Sequence, residues 1–389
     1  MKKFLFLCTA LALVSPSAYA QFELNDEEIS GGKGVLSLTD GIVLDKEKKP
    51  EEPKAEEPPK AEDNEDKGIF SFMDFSFLKK DKPKLTALPN ERKETFVQRI
   101  TRQAEEGDVD AQLSLGYMYL YGKDGVPVDY KKAFTYYNMA AAQNDPIAVN
   151  NLGSLYFSGI GTEKNFTKAA QLFDKASKLG NTEAAVNLAF IYLTKNSSLN
   201  NPREAIQLLK TAAEAGNPTA KFMLGYAYFK GLVVEQNYKK AVVLLREAAN
   251  VKYADAEYLL AYMYLNGLGI TKNYGNAVKY FTYAANQGNV DAMIELGNIL
   301  AAGTMYTKDL YRAHILFNIA SVHGVASAAE KRDYLEKKLK IEELLQAQAE
   351  AEKFKEKPSE LTSYIKQTFG DNIRHYIDEN MSYNATQIK

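Results

Sequence analysis

The sequence predicts an all-α solenoid built from stacked helix pairs. Three observations predict it. A unit of 36 residues recurs six times almost without gaps. Within each unit the apolar and small residues fall three or four positions apart, the spacing of one helix face. A glycine column separates the two halves of the unit, where a left-handed residue ends a helix.

The units start at Gly107, Asn144, Gly180, Gly216, Lys252 and Gly288, with a seventh half-unit at Gly324. The step is 37 residues once and 36 thereafter, the extra residue lying in the loop GKDGVPVDY. Counting from each start, offset 4 is Ala111, Ala148, Ala184, Ala220, Ala256 and Ala292. Offsets 8 and 9 carry Leu115-Gly116, Leu152-Gly153, Leu188-Ala189, Leu224-Gly225, Leu260-Ala261 and Leu296-Gly297. Offset 12 is Tyr119, Tyr156, Tyr192, Tyr228 and Tyr264, with Leu300 in the sixth unit. Gly122, Gly159, Gly231, Gly267 and Gly303 follow. The second half carries Ala133, Ala169, Ala205, Ala241, Ala277 and Ala313. One helix pair cannot bury its own apolar face, whereas a stack of pairs can.

The elements follow in order. Residues 1–20, MKKFLFLCTALALVSPSAYA, have a basic start, an apolar run from Phe4 to Val14 and small residues at Ala18 and Ala20. This predicts an export signal cleaved after Ala20, too short to span a bilayer. Cys8, the sole cysteine, lies within it. A lipoprotein reading of Cys8 fails because Leu7 is large and the cysteine comes too early. Residues 21–95 predict a disordered spacer, with Pro50, Pro53, Pro58 and Pro59 among alternating Lys and Glu. Inside it, residues 68–80 (GIFSFMDFSFLKK) carry Phe70, Phe72, Phe75 and Phe77. Two readings stand: a docking motif for a partner or membrane surface, and a cap over the first repeat. Residues 96–327 form the solenoid. Its third unit departs from the pattern, with Lys195 for the loop glycine and Pro202 opening the next helix. Residues 328–357 predict a capping, coiled-coil-like helix rich in i,i+4 charge pairs. Pro358 breaks it. Residues 358–389 hold an amphipathic helix, in two pieces around Gly370-Asp371. Folding back on the solenoid is preferred for it over seizing a partner.

The recurring motif A-x3-LG-x2-Y-x2-G, then K-A, then AA-x2-G resembles the Sel-one-like repeat (SLR) family, relatives of the tetratricopeptide repeat. Ala220 to Val251, AKFMLGYAYFKGLVVEQNYKKAVVLLREAANV, shows it most fully. The resemblance covers about residues 107–330. It implies a right-handed α/α superhelix with a concave face that serves as an adaptor or scaffold, without catalysis. Many exported bacterial members of such families work in envelope complexes or at a host. The family branch with paired cysteines is excluded, because the chain beyond residue 20 has no thiol.

Composition points the same way. A net charge of −2 argues against nucleic acid as a partner. Three His and one Cys leave few ways to build a metal site or a nucleophile–base pair. No phosphate loop, nucleophile elbow or EF-hand motif appears. No catalytic, cofactor or metal residues are therefore expected. His314, His323 and His375 read as surface or packed side chains.

Aromatics outside the shared columns nominate a groove. Tyr117, Tyr226 and Tyr262 occupy offset 10; Phe157 and Phe229 occupy offset 13; Tyr121 occupies offset 14. Tyr gives contact area at modest entropy cost and keeps a polar tip. The competing reading is packing between repeats, the commoner fate of an aromatic stripe at helical spacing. The expected function is an exported, non-enzymatic scaffold that binds protein partners, including outer-membrane or other envelope proteins. It works in the periplasm, at the outer membrane or at the cell surface, with peripheral membrane association and a virulence-type role in view. The alternative is a glycan- or peptidoglycan-binding module using the aromatic groove. The lack of Trp counts against it.

Overall fold

The computed structural model describes residues 95–194, 197–369 and 373–380. The expected export signal, most of the spacer and the Phe70, Phe72, Phe75 and Phe77 motif lie outside the described residues. Every regular element among the described residues is a helix, apart from one isolated bridge residue at Leu232.

A helix α1 (Phe96–Glu105) precedes the repeats, its start fixed by a reciprocal capping box between Thr95 and Gln98. The repeats then supply first helices α2 (Val109–Tyr121), α4 (Pro146–Ser158), α6 (Thr182–Leu193), α8 (Pro218–Lys230), α10 (Ala254–Asn266) and α12 (Val290–Ala302). Second helices α3 (Tyr130–Ala142), α5 (Phe166–Lys178), α7 (Pro202–Glu214), α9 (Tyr238–Asn250), α11 (Tyr274–Asn286) and α13 (Leu310–Val322) alternate with them. After these come α14 (Ala326–Glu336), α15 (Ile341–Lys353), α16 (Glu360–Phe369) and α17 (Ile373–Asn380).

Local chemistry sets the boundaries. Five of the six first helices have an Asp or Asn cap that accepts the amide of the offset-4 alanine, as Asn217 does from Ala220 at 2.8 Å. All six second helices are capped in the same way by Asp129, Asn165, Asn201, Asn237, Asn273 and Asp309. Glycine closes five first helices in the left-handed region, as at Gly159 with φ 78°. The third unit lacks that glycine, and α6 ends one residue early on extended Thr194. The Asn200 amide steadies the detour by donating to the carbonyls of Tyr192 and Thr194, each at 3.1 Å. Pro202 then opens α7, as its position in the sequence predicts.

Both alanine columns are buried throughout, because Ala is the side chain that lets neighbouring helices close in. Gly153 shows a closer approach still, as do Gly116 and Gly297. A β-carbon at Gly153 would stand 2.9 Å from the Phe173 ring of α5.

The chain divides into two compact units. The first contains, among the described residues, 95–236 and 363–380. Its core joins Tyr137, Leu155 and Phe173 to the alanine columns. In α4 every residue from Ala148 to Leu155 is buried.

The second unit holds residues 237–362 of the described chain, with a core around Phe281, Leu296 and Phe317. Residues 328–357, expected as one helix, form two, separated at Lys337–Lys340. The second of them, α15, packs on α13 and buries Ala347. In this unit Tyr253 stands where the other repeats have a capping Asp or Asn, and its side chain makes no cap. The Thr362 hydroxyl oxygen instead serves a different amide of the same helix end, accepting from Ala254, two residues before the offset-4 alanine, at 3.0 Å. Thr362 also donates to Gln287 Oε1 at 2.7 Å. Gln287 in turn donates to buried Glu257 at 2.7 Å. Burial is the main cause that pushes the Glu257 carboxyl up to about 8; the Gln287 hydrogen bond and Lys252 pull the other way.

Candidate partner-binding face

Positions 3, 7, 10 and 14 of a repeat share one stripe of its first helix, since they advance by four, three and four residues. The caps described above fix where each first helix begins, so the stripe falls in register from repeat to repeat. Four of the six predicted groove residues lie on it: Tyr117 and Tyr121 on α2, Tyr226 on α8 and Tyr262 on α10.

Tyr117 and Tyr121 are half-buried, with ring centroids 4.9 Å apart. Burial, with Asp124 as a smaller cause, raises the Tyr117 pKa, and burial raises that of Tyr121 further. Both hydroxyls therefore keep their protons at neutral pH. Phe157 and Phe229 sit at the edge of the stripe. Phe157 meets Phe166 edge-on at 5.2 Å, beside the Lys164 ammonium. Phe229 stacks on Tyr226 at 6.3 Å. Tyr262, in the second unit, is half-buried, and its carbonyl accepts the Asn266 amide at 2.9 Å.

Tyr226 differs from the open position expected of a groove residue. It is 3% exposed, and its hydroxyl donates to Asp378 of α17 at 2.8 Å. Lys230, one turn on, lies 3.5 Å from the same carboxylate. In this first unit Tyr364 of α16 also donates to Glu183 of α6 at 3.2 Å. Glu183, Tyr226 and Lys230 occupy offsets 3, 10 and 14. The chain's own tail therefore lies on the stripe, with Ile365, Ile373 and Ile377 buried.

Glu183 and Asp378 are site residues that the aromatic pattern alone does not pick out. A signal for the first is present: offset 3 is acidic in four units, as Asp110, Glu183, Asp255 and Asp291. Two of these carboxylates bind the cap of the next repeat. Asn217 donates to Glu183 at 2.8 Å, and Asn289 donates to Asp255 at 2.9 Å.

Among the described residues, no three or more His, Cys, Asp or Glu side chains gather to hold a metal ion. His314 is fully buried, 3.5 Å from Glu336, and burial lowers its pKa. His323 lies 3.5 Å from Glu356. His375 has no described side chain. Among the described residues, no helix is long and apolar enough to cross a membrane.

Comparison with known proteins places this architecture. The Sel1 repeat family model matches residues 109–145, 146–181, 182–217, 218–251, 254–289 and 290–322. These are the six repeats read from the sequence. A Sel1 repeat protein from Oxalobacter formigenes is 30% identical over 58% of this chain and 99% of its own, with a TM-score of 0.51. A protective antigen of uropathogenic Escherichia coli strains, with an SLR fold, is 26% identical over 70% of this chain, with a TM-score of 0.47. This chain covers 66% of that antigen. A Klebsiella pneumoniae protein described as a Sel1 repeat protein is 25% identical over 52% of this chain and 98% of its own, with a TM-score of 0.35. No curated protein matches the chain. With six matched repeats covering more than half of its residues, the chain belongs to the Sel1 repeat family.

Proposed function

We propose that this protein is an exported, non-enzymatic scaffold that binds protein partners through the first-helix stripe of its repeats. Sel1 repeats form a solenoid typical of protein-interaction scaffolds. The observation that carries the reading is the seating of α17 on Tyr226 and Lys230. A surface that receives one amphipathic helix has the apolar floor and polar rim that helix-in-groove recognition uses. Tyr117, Tyr121, Phe157 and Phe229 extend the binding surface along the repeats of the first unit, and Tyr262 holds the equivalent position in the second. The envelope of a bacterial cell, or a host in contact with it, is the proposed setting, on the strength of residues 1–20.

The test is capture from solubilised cell envelope by immobilised protein, followed by mass spectrometry. Enrichment of one or two defined proteins, lost when Tyr117 and Tyr262 are both replaced by Ala, is the expected result. Retention of the protein on purified cell wall, with no protein captured, would overturn it.

A further inference from the structure

Three features of the tail stand apart from the repeats. First, α17 spans Ile373–Asn380, 8 residues, too short to hold helical structure alone in water. Second, its Ile373 and Ile377 are one turn apart and both fully buried, so its stability comes from docking. Third, its charged anchor lies near solvent. The ion pair of Lys230 and Asp378 is about two-fifths exposed on each side, where such pairs contribute little. The Tyr226 hydroxyl bond to Asp378 fixes the register of the docked helix. A ligand held this way stays bound mainly because it is tethered, and tethering raises its effective concentration without adding contacts.

We propose that the face around Glu183, Tyr226 and Lys230 is a helix-binding site whose resident ligand is the chain's own tail. Its exchange partner is a protein segment of the same chemistry. That segment is an amphipathic helix with two β-branched aliphatic residues one turn apart, followed directly by a carboxylate. Lys230 supplies the complementary charge, and the Tyr226 hydroxyl supplies a donor that selects an acceptor. The tail acts as a built-in competitor. Only a partner helix that outbids it, or that arrives tethered in its own assembly, takes the site. This inference rests on the scaffold reading above and narrows it to one site and one ligand class.

The experiment uses the full chain and a fluorescent peptide of residues 360–380. Wild-type protein is compared with Ile373→Lys/Ile377→Lys, in which the tail is released. The expected result is at least about tenfold tighter peptide binding to the released variant, because occupancy of the site by the tail divides the apparent affinity. In the released background, Lys230→Asp should weaken binding of the wild-type peptide severalfold through like-charge repulsion, and a peptide carrying Asp378→Lys should recover the loss. Hydrogen exchange on the wild-type chain should show α17 amides protected.

Equal peptide affinity for the wild-type and released chains, both helical by circular dichroism, would sink the proposal. So would unprotected α17 amides in the wild type. A wild-type mass of two chains that falls to one in the released variant would assign the site to a second copy and also refute it. Envelope capture that persists while peptide binding fails refutes this site and leaves the scaffold reading standing. Peptide binding with no captured protein supports the site and removes the scaffold reading.

Discussion

Gln287 donates its side-chain amide to Glu257 at 2.7 Å, joining the end of the second helix of the fifth repeat to its first helix through a carboxyl that is 2% exposed. Burying a carboxylate costs free energy unless it is well paired, and one amide donor offsets only part of that cost. The protonated form is therefore favoured in the fold, which raises the folded pKa to about 8 from an ordinary 4.5.

The sign of the pH dependence follows. Between about 4.5 and 8 the folded chain holds a proton that the unfolded chain has released. Stability from this group is complete below the lower value and is lost as pH rises through the upper one. Glu257→Gln, neutral at every pH, should remove the trend. Thermal unfolding of the two proteins at pH 5 and pH 8.5 should show a wild-type loss, relative to the variant, on the order of a few kcal/mol. Parallel pH profiles would refute the assignment.

Gly153 and Gly275 make opposite predictions for the same substitution. Gly153→Ala presses a methyl group into the Phe173 ring and should cost about 1–3 kcal/mol. Gly275 is helical and exposed, and the nearest atom to a new β-carbon is the Asn273 Oδ1 at 3.4 Å. Gly275→Ala should stabilise by about 0.5–1 kcal/mol. Denaturant midpoints of the two variants check both signs.

Thr362→Val removes a hydroxyl without changing shape much. It leaves the Ala254 amide without the Thr362 acceptor, while Gln287 Oε1 keeps the Ser359 amide at 2.9 Å. The expected loss is about 1–3 kcal/mol, with faster hydrogen exchange concentrated at the start of α10. Uniform acceleration across both units would mean that the hydroxyl does not act as the cap of that helix.

Tyr117→Ala combined with Tyr262→Ala should lower partner capture about tenfold or more, since truncating a buried aromatic anchor at an interface often costs 2 kcal/mol or more. Helical circular dichroism should be retained. Loss of helicity in the double variant would show that these rings hold the repeats together.

What the sequence makes legible follows from distance along the chain. The alanine columns, the capping Asn and Asp residues and the glycine helix ends repeat every 36 residues and act on neighbours a turn or a loop away. Their periodicity therefore discloses them, down to the missing glycine of the third unit. The occupied state of Tyr226 is different. Its partner Asp378 is 152 residues away and carries no repeat signature, so the pattern marks the face but not what lies on it. Thr362 is illegible for the same reason. The sequence shows that Tyr253 lacks a capping side chain, but nothing local says which residue serves that helix end instead.

The borrowed cap also has a consequence in time. Ala254 leaves the ribosome 108 residues before Thr362 does. At about 5–20 residues per second, that interval is roughly 5–20 s. The other first helices carry their own caps and can close as soon as they are made. The fifth repeat cannot, so synthesis of the last segment acts as a timer on completion of the second unit, and a chain cut short after the sixth repeat would keep one helix end permanently undone.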